Sequence, residues 1–414
     1  MQDSKERTLL VGIQQKGRSR QEALASLREL ERLVETAGGE VVGSTFQEVK
    51  DPNPKTFIGK GKVLEIQNQI STLSVQMVVI DNELSSAQNR NLEEILNIKV
   101  LDRTAVILDI FAKRAHTKEG RLQVELAQLE YIQSRLRGMW THLGQQAGGI
   151  GMRGPGETQL EVDRRRLKEK ITRIQKQLEE VKIHRTVNRH KQQAVSLQMV
   201  SLVGYTNAGK STLFNNITHA HVLVEDKLFA TLDPTVRRVR LPSGREILFA
   251  DTVGFIRQLP HGLVEAFKAT FEEMAHAHLL IHLVDGSDPE VFQQIKVVEG
   301  VLAELGVDHK PLLTVFNKMD LPHEHSGELK ISALTGEGVG ELLDQIDLTL
   351  RDNFKKTTLI LPHHRGDVLS QIYTLGHVEE VRYVEEGVVV SCELYEKYFN
   401  KFKEFQMKPN VDKR

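Results

Sequence analysis

The chain has 414 residues, of which 40% are hydrophobic and 27% charged, enough apolar material for about two or three folded domains and unlike a disordered or collagen-like chain. One cysteine, Cys392, rules out an internal disulfide framework and fits a reducing compartment; no apolar run reaches bilayer length, and the start MQDSKERTLL is too polar for a signal peptide. A soluble, cytoplasmic protein is expected, as a monomer with no disulfide partner, and a net charge of −1 by itself suggests no charged partner.

Apolar runs at 8–13, 41–49, 75–82 and 99–108 read as strands. Between them, residues 19–35, 62–70 and 85–96 carry apolar side chains at helical spacing. That alternation predicts a small α/β domain over 1–115, built on a parallel βαβ sheet. Within it, Gly59-Lys60-Gly61-Lys62 is a glycine–lysine turn opening a helix. It lacks the full phosphate-loop spacing, so a structural turn or an RNA contact is the reading preferred over a second nucleotide site. An ATP-driven RNA-remodelling protein working through this domain is the rival it leaves.

From about Lys118 the periodicity becomes helical. Leu122, Leu126, Leu129, Ile132 and Leu136 form one seam, and Leu160, Leu167, Ile171, Ile174, Leu178 and Val181 a second. The two predict an antiparallel helical hairpin within 116–195. Between them lies MWTHLGQQAGGIGMRGPGE, with five glycines in 148–156, expected as an exposed loop because helical glycine costs about 1 kcal/mol relative to alanine. Residues 113–191 hold 18 Lys+Arg against 9 Asp+Glu, so a +9 segment is balanced by −10 elsewhere. The run Arg164-Arg165-Arg166 and the group Lys113, Arg114, Lys118 admit two readings. One is a solvated helix pair; the other is a basic arm binding RNA through its phosphates, with Arg153 in the glycine loop and Trp140 and His142 able to stack on bases, although a tryptophan is more often a packing anchor.

Strands are predicted again at 197–203, 246–251, 278–285 and 311–317, giving a second α/β domain over 196–355. A small α+β unit over 356–414 follows, with strand-like TLILP, a helix near 368–375 and β-rich runs at 378–384 and 387–393.

Chemistry concentrates in the second α/β domain. Gly204-Tyr205-Thr206-Asn207-Ala208-Gly209-Lys210-Ser211 fits G-x-x-x-x-G-K-[ST] between a strand and a helix. Its backbone amides suit a β-phosphate, Lys210 the β- and γ-phosphates, and the Ser211 hydroxyl Mg²⁺. Asp251-Thr252-Val253-Gly254 ends a strand, with a carboxylate to reach Mg²⁺ through water and a glycine amide for the γ-phosphate. Lys210 and Gly254 are the expected catalytic contacts. Asn317-Lys318-Met319-Asp320 ends another strand. A carboxylate such as Asp320 can accept from guanine N1–H and N2 together, where adenine would leave it unpaired. Ser332-Ala333-Leu334 follows, with the Ala333 amide expected to meet guanine O6. In this order the motifs predict a guanine-nucleotide-binding, P-loop domain.

Phe229-Ala230-Thr231-Leu232-Asp233-Pro234-Thr235 must supply the threonine that closes on Mg²⁺, and spacing leaves Thr231 and Thr235 both open. Phe255 follows Gly254, where Ras-type GTPases place a water-orienting glutamine. Slow hydrolysis in isolation is therefore expected, accelerated by a partner or by another group brought in on closure, although Phe255 also suits a hydrophobic anchor. His276-x-His278 and His363-His364 lack further metal ligands at persuasive spacing.

The sequence resembles the HflX family of ribosome-associated, translation-factor-like GTPases. FIGKGK (57–62), DNELSSAQNRNLE (81–93), LDRTAVILDIFAKRAHTKEGRLQVELAQL (101–129) and GGIGMRGPGETQLEVDRRR (148–166) carry the resemblance, with GYTNAGKSTLFN, FATLDPT and DTVGFI continuing it. It implies Thr231 as the Mg²⁺ ligand, binding to the large ribosomal subunit and its rRNA, and GTP-dependent ribosome dissociation or rescue under stress. A regulatory GTPase acting on a protein is the remaining alternative. The fold expected is thus α/β multidomain: N-terminal βαβ domain, helical hairpin linker, P-loop GTPase domain and C-terminal α+β unit.

Overall fold

A computed structural model describes residues 5–17, 19–146, 155–193, 197–220, 225, 227–258, 268–322, 327–351, 354–395 and 400–406. The chain divides into two compact units. One comprises Met1–Val181, Leu223–Asp233 and Val253–Phe271; the other comprises Lys182–Val222, Pro234–Thr252 and Glu272–Arg414.

The first unit begins with strands β1 (Arg7–Gln15), β2 (Glu40–Val49), β3 (Met77–Ile80) and β4 (Lys99–Asp102). They form a parallel sheet in the order β2-β1-β3-β4. Helices α1 (Arg20–Ala37), α2 (Lys60–Leu73) and α3 (Ser86–Leu96) connect them, as the alternating pattern predicted. Ser19 and Ser85 each close a reciprocal capping box, with Glu22 and Gln88, so two helix starts are written in S-x-x-E/Q. Leu9, Val11, Ile58, Ile66, Val78, Ile80, Leu92 and Val100 fill the core.

One predicted strand is corrected. Residues 99–108 are a four-residue strand followed at once by α4 (Arg103–Arg114). The buried Asp102 carboxylate decides this, accepting the Ala105 amide at 2.9 Å as an N-cap and holding Leu84 N, Tyr131 Oη and Arg135 Nη2 as well. Val106, Ile107, Ile110 and Phe111 then bury one helical face.

Helices α5 (Lys118–Gln146) and α6 (Pro155–Gln193) form the hairpin. Leu126, Leu129, Ile171 and Ile174 make its seam, with Leu122, Leu167 and Leu178 against it, and Lys170 pairs with Glu125 at 2.7 Å. Ile132, expected in that seam, is instead 45% exposed. Both helices reach further into the glycine-rich stretch than expected: Gly156 lies in the first turn of α6, after Pro155, a residue suited to a helix start. Residues 147–154, including Arg153, lie outside the described residues.

The second unit contains a five-stranded sheet in the order β6-β7-β5-β8-β9, formed by β5 (Gln198–Gly204), β6 (Thr235–Arg240), β7 (Glu246–Asp251), β8 (Leu279–Asp285) and β9 (Leu312–Asn317). All pairs are parallel except β6 with β7. The sequence reading missed β6, whose TVRRVR has too few apolar residues to signal a strand and pairs as a charged edge. Around the sheet lie α7 (Lys210–Thr218), α8 (Lys268–His276, across the division between units), α9 (Val291–Glu304) and α10 (Val339–Arg351). Val200, Leu202, Phe214, Phe249, Ile281, Leu283, Leu342 and Ile346 share one core.

The C-terminal part is a three-stranded antiparallel sheet of β10 (Phe354–Leu361), β12 (Gly387–Tyr395) and β11 (Gly376–Val384), in that order, with α11 (Gly366–Leu375) and a 3₁₀ turn at Asn400–Phe405. Leu359, Ile372, Val390, Leu394 and Phe402 pack there around Cys392. Burial pushes the Cys392 thiol up to about 12, which leaves it unreactive.

Candidate nucleotide site

The phosphate loop leaves β5 at Gly204 and enters α7 at Lys210. Two of its glycines are required sterically. Gly204 has φ +150°, and a Cβ there would stand 2.3 Å from the Leu283 carbonyl oxygen; at Gly209, φ +92°, it would stand 2.3 Å from Asn317 Nδ2. The loop closes around its lysine. Lys210 is buried, and its Nζ donates to the Gly204 and Tyr205 carbonyls at 3.1 and 2.6 Å. Burial pushes the ammonium down to about 8, with the Asp251 charge acting in the opposite sense. On β8, burial and then the Lys210 charge push the His282 imidazole down to about 4, so that histidine is neutral beneath the loop.

Ser211, one residue into α7, donates its hydroxyl to Asp251 Oδ2 at 2.7 Å. Asp251 is buried at the end of β7, and the next residue, Thr252, donates its hydroxyl to the Leu202 carbonyl and ties that strand end to β5. A serine hydroxyl and a carboxylate at hydrogen-bond distance form a hard-oxygen pair, the donor chemistry that Mg²⁺ prefers. Among the described residues no group of three or more His, Cys, Asp or Glu is placed to hold a metal ion. His278 accepts the Met199 amide through Nδ1, a structural contact.

Asn317 ends β9 and reaches in two directions. Its Nδ2 donates to the Ala208 carbonyl at 2.8 Å, and its Oδ1 accepts the Ala333 amide at 2.8 Å. The Ala333 amide, expected to face guanine O6, is therefore engaged by Asn317. Lys318, at φ +66°, pairs with Asp285 at 2.6 Å. Asp320 is exposed and accepts the Ser332 hydroxyl at 2.6 Å. Met319 donates its amide to the Ile331 carbonyl, and the Leu334 side chain is 74% exposed. Thr206, Asn207 and Ala208 complete the loop, Asn207 at φ +63°. The Lys318–Asp285 pair was not anticipated; in the register of the parallel strands Asp285 sits opposite Asn317.

The remaining predicted residues, Thr235 apart, belong to the first unit. Phe229, at φ +56°, is buried edge-on against Phe111, with centroids 4.7 Å apart. Ala230 and Thr231 follow, then the buried Leu232, and Asp233, whose carboxylate accepts the His116 and Thr117 amides at 2.9 Å each. The other candidate threonine, Thr235, is the first residue of β6 and pairs in register with Asp251. Val253, Gly254 and Phe255 are buried, and Phe255 packs against Phe271 at 5.8 Å between centroids. Gln258 donates to Ser26 Oγ on α1 at 3.1 Å.

Outside the nucleotide motifs, Lys62 of the glycine–lysine turn bonds Thr45 Oγ1 and Glu65 Oε2, at 3.0 and 2.7 Å, which gives it a structural role. Arg164, Arg165 and Arg166 are exposed on α6. Arg165 pairs with Glu169 at 3.0 Å and Arg166 with Asp163 at 3.9 Å, surface pairs that are weak in water. Among the described residues no helix is long and apolar enough to cross a membrane.

Comparison with known proteins covers the chain almost end to end. Successive family profiles match as "GTP-binding GTPase N-terminal" over residues 24–112, "GTP-binding GTPase Middle Region" over 114–192, "50S ribosome-binding GTPase" over 199–318 and "HflX C-terminal domain" over 321–401. Among curated proteins, GTPase HflX of Caldanaerobacter subterraneus subsp. tengcongensis is 45% identical over 96% of this chain and 94% of its own. GTPase HflX of Magnetococcus marinus is 49% identical over 89% and 88%, and that of Escherichia coli 45% over 88% of each. A solved structure of a GTP-binding protein from Sulfolobus solfataricus in complex with GDP is 25% identical, covering 83% of this chain and 98% of that one, with a TM-score of 0.43.

Proposed function

The chain belongs to the HflX family of ribosome-associated GTPases, and from that premise we propose that it binds the large ribosomal subunit and uses GTP to dissociate or rescue ribosomes. The observation that carries the nucleotide half is Asn317, whose side chain joins the base-reading strand to the phosphate loop and to Ala333. The matched description of a 50S ribosome-binding GTPase and the exposed arginines of α6 support the ribosomal half. The division of labour proposed is an α/β domain over 1–115, a basic hairpin over 116–195, a GTPase domain over 196–355 and an appended unit over 356–414. A cytoplasmic monomer acting on rRNA fits this reading.

In the proposed mechanism the amides of 204–211 hold the β-phosphate. Lys210 exchanges its carbonyl partners for phosphate oxygens, and the negative charge restores a fully protonated ammonium. Asp320, aligned by Ser332, accepts from guanine, and Lys318 is held by Asp285. Ser211 and Thr231 are the proposed direct ligands of Mg²⁺, with Asp251 acting through water; bound there, the ion would neutralise phosphate charge. The choice of Thr231 over Thr235 follows the pattern of the HflX family. The Gly254 amide takes the γ-phosphate.

Phe255 has no polar atom and is packed on Phe271, so it cannot orient water. Hydrolysis is then slow in isolation and accelerated by the ribosomal partner. Single-turnover GTP hydrolysis with and without purified large subunits tests this. A rise of about tenfold or more with subunits is expected; equal rates would remove the partner from the mechanism.

A further inference from the structure

Asp233 lies two residues beyond Thr231, yet its carboxylate is spent on the root of the hairpin. Oδ2 accepts the amides of His116 and Thr117, and Oδ1 accepts the Thr117 hydroxyl at 2.5 Å. Thr117 Oγ1 in turn accepts the Gly120 amide at 2.9 Å. A side chain remote in sequence thus completes the N-terminal cap of α5, satisfying amides that a helix start leaves open and placing negative charge at the positive end of its dipole.

Gly120 fits the same arrangement. Glycine within a helix costs about 1 kcal/mol relative to alanine, so its use in the first turn of α5 calls for a reason. A Cβ at this position would stand 2.3 Å from Asp233 Oδ1 and 3.1 Å from Thr117 Oγ1. The space that alanine needs is filled by the carboxylate. Two further contacts fasten the same segment to the same region: Glu225 pairs with Arg114 at 2.5 Å, and Phe229 packs on Phe111 of α4.

We propose that Asp233 is a positioning residue that couples the nucleotide-sensing segment to the hairpin, by capping α5 through Thr117 in the space left by Gly120. This rests on the reading of Thr231 as the switch threonine. Two residues of chain span at most about 7 Å, so Thr231 cannot move far while Asp233 stays fixed. Movement of Thr231 either pulls on the first turn of α5 or releases its cap. In both cases the His116, Thr117 and Gly120 amides report the nucleotide, and the helix that starts there is the first arm of the hairpin.

The test is hydrogen–deuterium exchange over residues 113–121 of the full-length protein, bound either to GDP or to a non-hydrolysable GTP analogue. In the native sequence, exchange in this stretch should differ by about fivefold or more between the two nucleotides, the range of local opening equilibria. In Asp233→Ala and in Gly120→Ala the difference should collapse. Alanine at 120 favours helix, so collapse there cannot come from a weakened α5. Equal exchange with both nucleotides in the native sequence, or a difference that persists in both variants, overturns the proposal. Thr231→Ala separates the two readings. Unchanged Mg²⁺-dependent affinity for the analogue in that variant defeats the assignment of Thr231, whereas exchange at 113–121 judges the Asp233 clasp in either case.

Discussion

Asn317 Nδ2 donates to the carbonyl of Ala208 at 2.8 Å, so one buried amide joins the end of β9 to the glycine-bearing loop after β5. The same side chain receives the Ala333 amide through Oδ1. Three motifs far apart in sequence converge on one residue, which makes them a connected frame rather than three independent loops.

Asn317→Ala should therefore weaken guanine-nucleotide binding at both ends. It strands the Ala208 carbonyl and the Ala333 amide, each at about 1–3 kcal/mol, and affinity for fluorescent GDP should fall by about tenfold or more. A fluorescence titration within twofold of the native protein would contradict this role.

Lys210 makes binding proton-linked. Its ammonium sits near 8 in the free loop because of burial, below the usual lysine value. Between that value and the ordinary one the unfolded chain holds a proton that the folded chain lacks, so this residue makes stability rise with pH across that window. Phosphate charge reverses the shift. Nucleotide binding should take up protons, more of them near pH 9 than near pH 7, read by calorimetry in buffers of different ionisation enthalpy. Heats that do not depend on buffer near the higher pH would contradict it.

Phe255→Gln restores the side-chain type that orients water in other GTPases, yet it should not speed hydrolysis. The position is fully buried against Phe271, and an amide there loses packing and lacks partners, a cost of about 3 kcal/mol. Single-turnover assays should show an unchanged or slower rate together with a lower denaturation midpoint. A tenfold faster rate in isolation would show that residue 255 does reach the attacking water.

Replacing Arg164, Arg165 and Arg166 by alanine should weaken binding to the large subunit and lower the logarithmic salt slope by roughly 2 to 3, with GDP affinity unchanged. The native pairs of Arg165 and Arg166 are exposed and weak, so little stability is lost. A co-sedimentation series with an unaltered slope would move the RNA-facing surface off α6.

The motifs legible in the sequence are those whose chemistry is local. Gly204, Gly209, Lys210 and Ser211 are fixed within eight residues, and Asp251 and Asn317 follow from strand ends. Residues 99–108 were misread because two apolar stretches flanking Asp102-Arg103-Thr104 were joined into one strand, and short apolar stretches suit a buried strand as well as a buried helix face. The Asp102 cap decides between them, and the same carboxylate also depends on Arg135 and Tyr131, which are distant in sequence. Asp233 is read in the sequence only as part of the switch segment, and Gly120 carries no motif of its own. Their relation spans more than a hundred residues, and neither strand nor helix periodicity encodes it. The hydrogen bond from the Ala333 amide to Asn317 Oδ1 was likewise not legible, because it joins residues sixteen apart that carry no shared periodicity.

The most direct measurement of the central claim is sedimentation of purified 70S ribosomes and large subunits with this protein and a non-hydrolysable GTP analogue, GDP or an ATP analogue. The account predicts that the protein travels with the large subunit, and that intact ribosomes split, with the GTP analogue and far less with the other two. Equal binding in all three conditions, or splitting driven by the ATP analogue, would contradict it.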